Sequence, residues 1–582
     1  MTSFLTYAIG KSSLHRALSR LQRGSRRWIW GLLLTLCPGM LWASTNVPLG
    51  YWGYDVLERW EAKGLISSAR LGSRPLSRIE MAEWINKVMR ERPPLDPTEW
   101  GELSRLQQEF GEELLQIGTG LIRPKRREPG MGRVRRMLDG GPLAMWQEVQ
   151  RKIRIDYVGR IRGTFHTGDT YDSTEKIYQR TSGARIRGDF ERFSFYVEAR
   201  DTQEYGTRTY QERSDVFETG VGYVTLKRGR ASYDETIAYL VWKLPWFHLE
   251  LGKDDLRWGP GYRGTLILSD YGPSFDMIKL KARYGQFTFT SVTGFLRSTL
   301  VDSVRSIRDH GQLKALPRQK YLTAHRLEIS LSHRADLGLT EMVIYGDRGL
   351  EWTYINPIMF YWSGEHHLGD QDNALMAFDL SVRIAQGLQG YGTFLIDDLT
   401  KSKLGTDWYG NKFAYLGGLF WVDPMGLRDT DLRLEVARID PWVYTHRFAI
   451  NAYTNYNWPL GHWLGPNADD LFAEVRHRFA PNVEIALWAE QERHGRNESE
   501  RDVGEDLYDG WQEGDSEHKS FLSGIVEKTR RYGLRATYEI LPNLLLRVEA
   551  QQMHSENVPV GEDLRGNLTT NQFSMGLTYN YW

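Results

Sequence analysis

The sequence has almost no cysteine, no excess of charge of one sign and no long apolar runs. Its 582 residues contain one cysteine, Cys37, so we expect neither a disulfide framework nor a thiol catalyst. Lys and Arg together number 74, as do Asp and Glu, which gives no bulk attraction to nucleic acid. Mean hydropathy is −0.50 and twenty-residue apolar runs do not recur, which excludes a polytopic helical membrane protein.

Catalytic and cofactor motifs are also missing. No G-x-S-x-G stretch occurs, and the Gly-Pro-Gly at 259–261 lacks the spacing and lysine of a phosphate loop. Asp397 and Asp398 are adjacent in a predicted strand, so they should point to opposite faces rather than form an acid/base pair. His366 and His367 are neighbours on one loop and seldom converge on a metal. The sequence predicts a non-enzymatic protein without metal or cofactor.

Aromatic residues are abundant, at 13% of the chain with 21 Trp and 30 Tyr. Such a content is typical of membrane-interface anchors or of platforms that stack on sugar rings. The N-terminus carries six basic residues before the apolar run 28–43. This pattern predicts a signal peptide over 1–43, cleaved near Ala43, with a membrane anchor as the alternative.

A helical pattern follows over 46–118. Gly64 should end the first helix as a left-handed C-cap. The Ser77–Glu80 spacing predicts a capping box at the second helix, and Asp96-Pro97 starts the third. We expect a small periplasmic α-helical domain here, then a basic linker over 119–150 that would be solvated or touch lipid phosphates.

From 151 to 582 the period changes to two, as in a strand with one apolar and one polar face. The last stretch, 571–582, alternates apolar and polar residues up to Tyr581 and ends on Trp582 out of that phase. A chain that ends on such a strand fits a closed membrane barrel, where the last strand pairs with the first and leaves no open edge.

Connection lengths support this interpretation. Short turns are predicted near Glu191, Pro245, Gly285, Ala335, Gly387, Met425, Pro481 and Pro542. They alternate with nine long connections at 167–180, 201–234, 257–274, 297–320, 346–372, 398–411, 440–468, 493–526 and 554–567. We therefore predict an all-β transmembrane antiparallel barrel of about 18 strands, with short turns in the periplasm and long loops outside. An alternating segment at 216–226 could be a further strand, which would change the count.

Several segments together resemble one known family. They are VPLGYWGYDVLERWEAKGLI and RPLSRIEMAEWI in the helical part, and LRWGPGYRGTLILSD at 256–270, YINPIMFYWSGE at 354–365 and DNALMAFDLSVRI with YGTFLIDD up to Asp398 in the barrel. They are similar to the capsule assembly Wzi family of Gram-negative outer-membrane proteins. The resemblance implies an outer-membrane barrel with a periplasmic helical bundle and a lectin-like role in holding capsular polysaccharide at the cell surface.

The candidate ligand-binding residues are aromatic and polar side chains of the predicted outer loops, which can stack on sugars or bind hydroxyls. They are Trp352, Tyr354, Asn356, Tyr361, Trp362, Glu365, Trp408 and Tyr409. Arg257 and Arg263 could grip carboxylates of an acidic polymer, or pair with lumen acids such as Asp254 and Asp255. For each aromatic residue the alternative is packing within the loops or in the outer aromatic girdle.

The leading functional hypothesis is a non-enzymatic binder of capsular or exopolysaccharide. Its expected partners are the cell-surface polymer, outer-membrane lipid and the polysaccharide export machinery, without nucleic acid. The alternative is an outer-membrane channel, a porin or export pore, because a barrel of about 18 strands leaves an aqueous path if unplugged. A membrane-embedded hydrolase is a distant third.

Overall fold

The computed structural model describes residues 42–118, 140–148, 151–171, 173–212, 215–227, 229–499, 501–560 and 564–580. The predicted signal peptide up to residue 41, most of the basic linker, and Tyr581 and Trp582 lie outside these ranges. Among the described helices, none is long and apolar enough to cross a membrane.

The N-terminal domain consists of four helices. They are α1 (Gly53–Lys63), α2 (Arg78–Glu91), α3 (Pro97–Glu109) and α4 (Gly111–Gln116). The predicted C-cap of α1 and the predicted N-caps of α2 and α3 are confirmed. Gly64 ends α1 with φ 78°, and both Ser77–Glu80 and Asp96–Glu99 form complete capping boxes. Their apolar faces make one core around Leu57, Trp60 and Ile85, because helices this short depend on packing for their stability.

Eighteen antiparallel strands form a closed barrel. In chain order β1 to β18 they are Arg151–Gly168, Glu175–Phe190, Phe193–Gly206, Arg230–Lys243, Phe247–Asp254, Phe275–Tyr284, Phe287–Val301, Pro317–Ser332, Ala335–Gly346, Asn373–Ala385, Leu388–Asp398, Lys412–Val422, Thr430–Ile439, Ala468–Ala480, Val483–Arg496, Ile525–Leu541, Leu544–Pro559 and Arg565–Tyr579. Two further helices, α5 (Trp352–Ile355) and α6 (Tyr361–Leu368), lie between β9 and β10.

The barrel closes by pairing β18 with β1, from Thr570 opposite Gly168 to Tyr579 opposite Gly159. The predicted strand count and all eight short turns are confirmed. The segment 216–226 is not a barrel strand, since only Thr225–Lys227 pairs briefly with β4. The first and last outer connections are shorter than predicted, because β1, β2, β17 and β18 extend further outward. Within the predicted linker, Ala144–Glu148 forms a short strand on β1.

The helical domain seats in the barrel mouth formed by the short turns, which in an outer-membrane barrel faces the periplasm. Ion pairs between the domain and the barrel are spread around this mouth. They include Arg59–Asp431, Glu80–Lys281, Glu83–Arg283, Arg105–Glu539 and Glu112–Lys152. Pairs on opposite sides of the rim fix both the position and the tilt of the domain, although each exposed pair is individually weak.

The segment between α1 and α2 reaches further, into the barrel interior. There Ser73 and Arg74 form a two-stranded antiparallel sheet with Trp258 and Arg257. The Gly259 amide also donates to the Gly72 carbonyl at 2.8 Å. Arg257 and Trp258 belong to loop 3 (255–274), which starts and ends at the opposite mouth of the barrel. The helical domain and an outer loop therefore meet inside the barrel.

One buried carboxyl makes the seating of the domain pH-dependent. Burial, with a contribution from the nearby Asp336, raises the pKa of Glu61 on α1 from 4.5 to about 8. Because the folded pKa exceeds the unfolded one, this group's stabilisation is complete below about pH 4.5 and is lost as pH rises through about 8.

We expect the helical domain to become more susceptible to trypsin between pH 6 and 9, and Glu61→Gln to reduce this increase. The measurement is the cleavage rate of residues 44–118 in the purified full chain, expressed as the ratio of wild type to variant at each pH. Glu83→Gln, at the exposed Glu83–Arg283 pair, is the control. A ratio of wild type to Glu61→Gln that does not change with pH would contradict the assignment.

Candidate functional site

The barrel interior is filled by two outer loops that fold inward. Loop 3 (255–274) and loop 7 (440–467) contribute Leu256, Trp258, Leu266, Val443 and Tyr453 to one apolar core with the inner faces of the strands. Two tyrosines join the loops. The Tyr444 hydroxyl donates to the Leu266 carbonyl at 2.8 Å, and the Tyr453 hydroxyl donates to the Ile267 carbonyl at 2.7 Å. The aromatic residues of loop 7 at these positions are thus core, not an external surface.

Arg257 and Arg263 also lie inside the barrel and are paired with acids. Arg257 binds Asp270 at 2.9 Å and the Gly261 and Tyr262 carbonyls. The Arg263 Nε donates to Glu490 at 2.8 Å, and its guanidinium lies over Phe472. The two arginines therefore pair with acids inside the barrel, as the alternative prediction stated. The acids are Asp270 and Glu490 rather than Asp254 and Asp255. Both guanidinium groups are thus already paired with carboxylates.

The six candidate residues of loop 5 (347–372) fall into two groups, one buried and one exposed. Tyr354 and Tyr361 are fully buried and pack on Val343 and Tyr345 of β9. Glu365 is buried as well, while Trp352, Asn356 and Trp362 are exposed. The buried tyrosine rings have no free face on which a sugar ring could stack.

Burial raises the pKa of the Glu365 carboxyl from 4.5 to about 8, and the nearby Asp370 and Asp398 add to this rise. A carboxyl that is protonated at neutral pH can donate a hydrogen bond as well as accept one. Its low exposure nevertheless limits contact with a large ligand.

Trp408 and Tyr409 of loop 6 (399–411) form an aromatic cluster at the outer surface. The Tyr409 ring stacks on Trp511 of loop 8 (497–524), with centroids 4.3 Å apart and planes 14° apart. Trp408 lies 5.1 Å from Tyr409, and the buried Trp442 packs beneath at 6.0 Å. All three outer rings are half-buried, so each keeps an accessible part. We call Trp408, Tyr409 and Trp511 the outer aromatic cluster.

Trp511 was not among the binding residues predicted from the sequence, although its position in loop 8 indicates a contact or a ligand. It is the sole tryptophan of a long outer loop and lies in the polar stretch Asp509 to Asp515. An isolated large aromatic residue in a hydrophilic loop needs a packing partner or a ligand. The pairing with Tyr409, 102 residues earlier in the chain (511 − 409), could not be inferred from either loop alone.

Backbone contacts hold loops 6 and 8 together beneath the cluster. The Tyr409 amide donates to the Glu517 carbonyl at 3.0 Å, and the Lys519 amide donates to the Asp407 carbonyl at 2.7 Å. Loop 8 is rich in exposed acids, with Asp506, Asp509, Glu513 and Glu517, while loop 6 adds the exposed Lys401 and Lys403. Carboxylates next to partly exposed rings provide acceptors for hydroxyl or amino groups.

Neither the paired aspartates nor the histidines of loop 5 assemble a reactive centre. Asp397 accepts the Tyr444 amide inside the barrel at 2.5 Å, whereas Asp398 pairs with Lys412 at 2.8 Å with its side chain largely exposed. They point to opposite faces, as predicted. Among the residues that the structure describes, no group of three or more His, Cys, Asp or Glu side chains could hold a metal ion.

A family model for the capsule assembly protein Wzi matches residues 161–569. The chain belongs to the Wzi family. Among curated proteins, none matches it significantly.

The Wzi-family fold is also recognisable among solved structures. Escherichia coli Wzi, described as a carbohydrate-binding β-barrel of the outer membrane involved in group 1 capsule assembly, matches at 14% identity with a TM-score of 0.55, over 92% of this chain and 100% of that one. This match shows the same fold. Acinetobacter baumannii OccAB2 (10% identity, TM-score 0.41, 73% and 98% covered) and Pseudomonas aeruginosa OccK2 (10%, 0.40, 73% and 97%) are too distant to carry an argument. The chain is an outer-membrane β-barrel.

For this Wzi-family barrel we expect Tyr444→Phe combined with Tyr453→Phe to loosen the interior loops. Each change leaves a buried carbonyl without its donor, at a cost of about 1–3 kcal/mol. Single-channel recording in planar bilayers should show a closed wild type and brief openings of the double variant. Tyr284→Phe, at the exposed end of β6, is the control. A large, steady conductance of the wild type would contradict the filled interior.

Proposed function

We propose that this protein binds polysaccharide at the cell surface, without enzymatic action, through its outer aromatic cluster. The observation that carries the proposal is the stack of Tyr409 on Trp511 beside Trp408, on the outer face of a barrel whose interior is filled. Partly exposed, rigid aromatic rings offer flat apolar faces for sugar rings at little entropic cost. Membership of the capsule-assembly family, and the carbohydrate binding attributed to Escherichia coli Wzi, support the same function.

The charge around the cluster indicates which sugars fit best. The exposed acids Asp506, Asp509, Glu513 and Glu517 of loop 8 accept hydrogen bonds from hydroxyl and amino groups and repel carboxylates. Neutral or amino-bearing sugar units therefore suit this surface better than uronates. The arginines that would favour an acidic polymer are inside the barrel and already paired.

The alternative of a diffusion or export channel has less support. An open channel needs a continuous aqueous path, and the apolar core between loops 3 and 7 occupies the interior. In the proposed arrangement a signal peptide (1–43) directs export, the helical domain (46–118) lies in the periplasm, and 119–150 links it to the barrel. Outer-membrane lipid and the polysaccharide export machinery complete the proposed partners.

We expect Trp511→Ala to weaken binding of a neutral oligosaccharide from the surface polymer by about 2 kcal/mol, roughly thirtyfold, as for a central aromatic anchor. Trp408→Ala should act in the same direction. The measurement is isothermal titration with the detergent-solubilised full chain. Trp246→Ala, an exposed tryptophan at the opposite mouth, should bind like wild type.

Two outcomes would overturn the proposal. One is equal affinity of the Trp511→Ala variant and the wild type. The other is a deletion strain that retains its surface polymer normally, since loss of the binder should release polymer into the medium without stopping synthesis.

A further inference from the structure

Loop 5 does not rise from the barrel rim but folds back over the outside of the barrel wall. Its helices α5 and α6 pack on β9 and β10, where Tyr354 and Tyr361 bury Val343, Tyr345 and part of Ala374. We call α5, α6 and the residues between them (352–368) the outer flap.

The side of the wall that the outer flap covers follows from the alternation of side chains along β8 and β9. Leu322, Ala324, Met342 and Ile344 belong to the interior core, and Met342 contacts the Tyr453 hydroxyl at 2.9 Å. Neighbouring residues in a strand point to opposite faces. Thr323, His325, Glu341, Val343 and Tyr345 therefore point outward, toward the membrane.

Rows of paired residues on this outward face show an unusual order of polarity. On the side of the short turns the rows are apolar, and the second of them is Phe289, Leu327, Leu339 and Phe378. The next two rows are polar over β7 and β8, with Ser291, His325 and Glu341, then Thr293 and Thr323, and they end in the apolar Met376, Val343 and Ala374. The row beyond them is aromatic again: Phe295, Tyr321 and Tyr345. A polar patch thus lies between two apolar rows of a lipid-facing wall.

The outer flap covers this polar patch. The Tyr361 amide donates to Glu341 Oε2 at 3.1 Å, and His325 Nε2 lies 2.9 Å from the same oxygen. The Tyr361 and His325 rings are 4.2 Å apart. Ser291, Thr323 and Glu341 are consequently buried although they face outward. Polar groups exposed to the hydrocarbon layer would lower the stability of the barrel, and the outer flap shields these groups from that layer.

Polar contacts at the outer rim hold the flap in place. The Tyr354 hydroxyl donates to Asp372 at 2.7 Å, and Arg348 binds the same carboxylate at 2.9 Å. Arg447 of loop 7 donates to the Asp370 carbonyl. These contacts leave the flap little freedom to lift away.

The opposite side of the flap is apolar and exposed. Trp352 is 82% exposed and Ile358 is 87% exposed, with Phe360 and Trp362 beside them at 50% and 38%. The wall beside the flap also exposes Phe295, whose ring packs on Tyr321, and Tyr321 stacks on Tyr345 beneath the flap. The polar Asn356, Ser363, His366 and His367 are exposed on the same segment. Tryptophan and large aliphatic side chains mixed with polar ones are typical of segments that lie in a membrane interface.

We propose that the outer flap is an interfacial membrane element, whose Trp352, Ile358, Phe360 and Trp362 contact the acyl chains of the outer leaflet. We choose lipid as the occupant because the flap packs on the outward face of the barrel wall, which faces the membrane. The inference is independent of the proposed polysaccharide binding, which rests on loops 6 and 8. It assigns Trp352 and Trp362 to lipid rather than to sugar.

A single-cysteine experiment tests the location of the flap. In a Cys37→Ser background of the full chain, Ile358→Cys is labelled with a bimane probe. The protein is reconstituted in phosphatidylcholine vesicles with and without bromine on the acyl chains, which quenches a probe only at close range. Leu380→Cys, on the lipid-facing wall, and Leu404→Cys, exposed on loop 6, are the two reference sites.

We expect the Ile358→Cys probe to lose at least half as much fluorescence to the brominated lipid as the Leu380→Cys probe, with a blue-shifted emission. Phe360→Cys should behave in the same way. Quenching below that threshold, with the water-like emission of the Leu404→Cys probe, would overturn the proposal. The flap would then be a solvent-exposed surface open to a soluble partner or to the polymer.

Discussion

The width of the barrel is the constraint on which the rest of the structure depends. Eighteen strands enclose more space than their own inward side chains can fill. This chain fills it with an apolar core built from loops 3 and 7, met from the other mouth by the Ser73–Arg74 strand of the helical domain. Burial of apolar surface drives the loops inward. The tyrosine hydroxyls donate hydrogen bonds to backbone carbonyls that would otherwise be buried without a donor.

Filling the interior decides what each outer loop can do. Loops 3 and 7 pack their apolar side chains into the core, and Arg257 and Arg263 are paired with acids there. Loop 5 is committed to the outer wall, where it covers the polar groups around Glu341. Loops 6 and 8 contribute to the outward surface, where the Tyr409 ring stacks on Trp511. The candidate binding surface therefore rests on this stack.

The sequence predicted the barrel well because strand alternation and turn lengths are local properties. The helix caps at Gly64 and Ser77 and the strand count were all readable in this way. The direction in which each loop folds could not be predicted from the sequence. An aromatic residue in a loop gives the same sequence pattern whether it lies in a core, at a membrane interface or on a sugar-binding surface. Tyr354 lies in a core, whereas we propose the membrane interface for Trp352 and a sugar platform for Trp408. Only the pairing of distant segments distinguishes them.

Hydrogen exchange of the membrane-embedded protein tests the filled interior most directly. We expect amides of 256–268, 443–445 and 450–454 to be protected nearly as strongly as those of the adjoining strands, because these residues are buried in one core with them. The outer hairpin at 302–316, whose described side chains are mostly exposed, should exchange rapidly and serves as the internal reference. Exchange of 256–268 as fast as that of the hairpin would show that loop 3 does not fill the barrel interior.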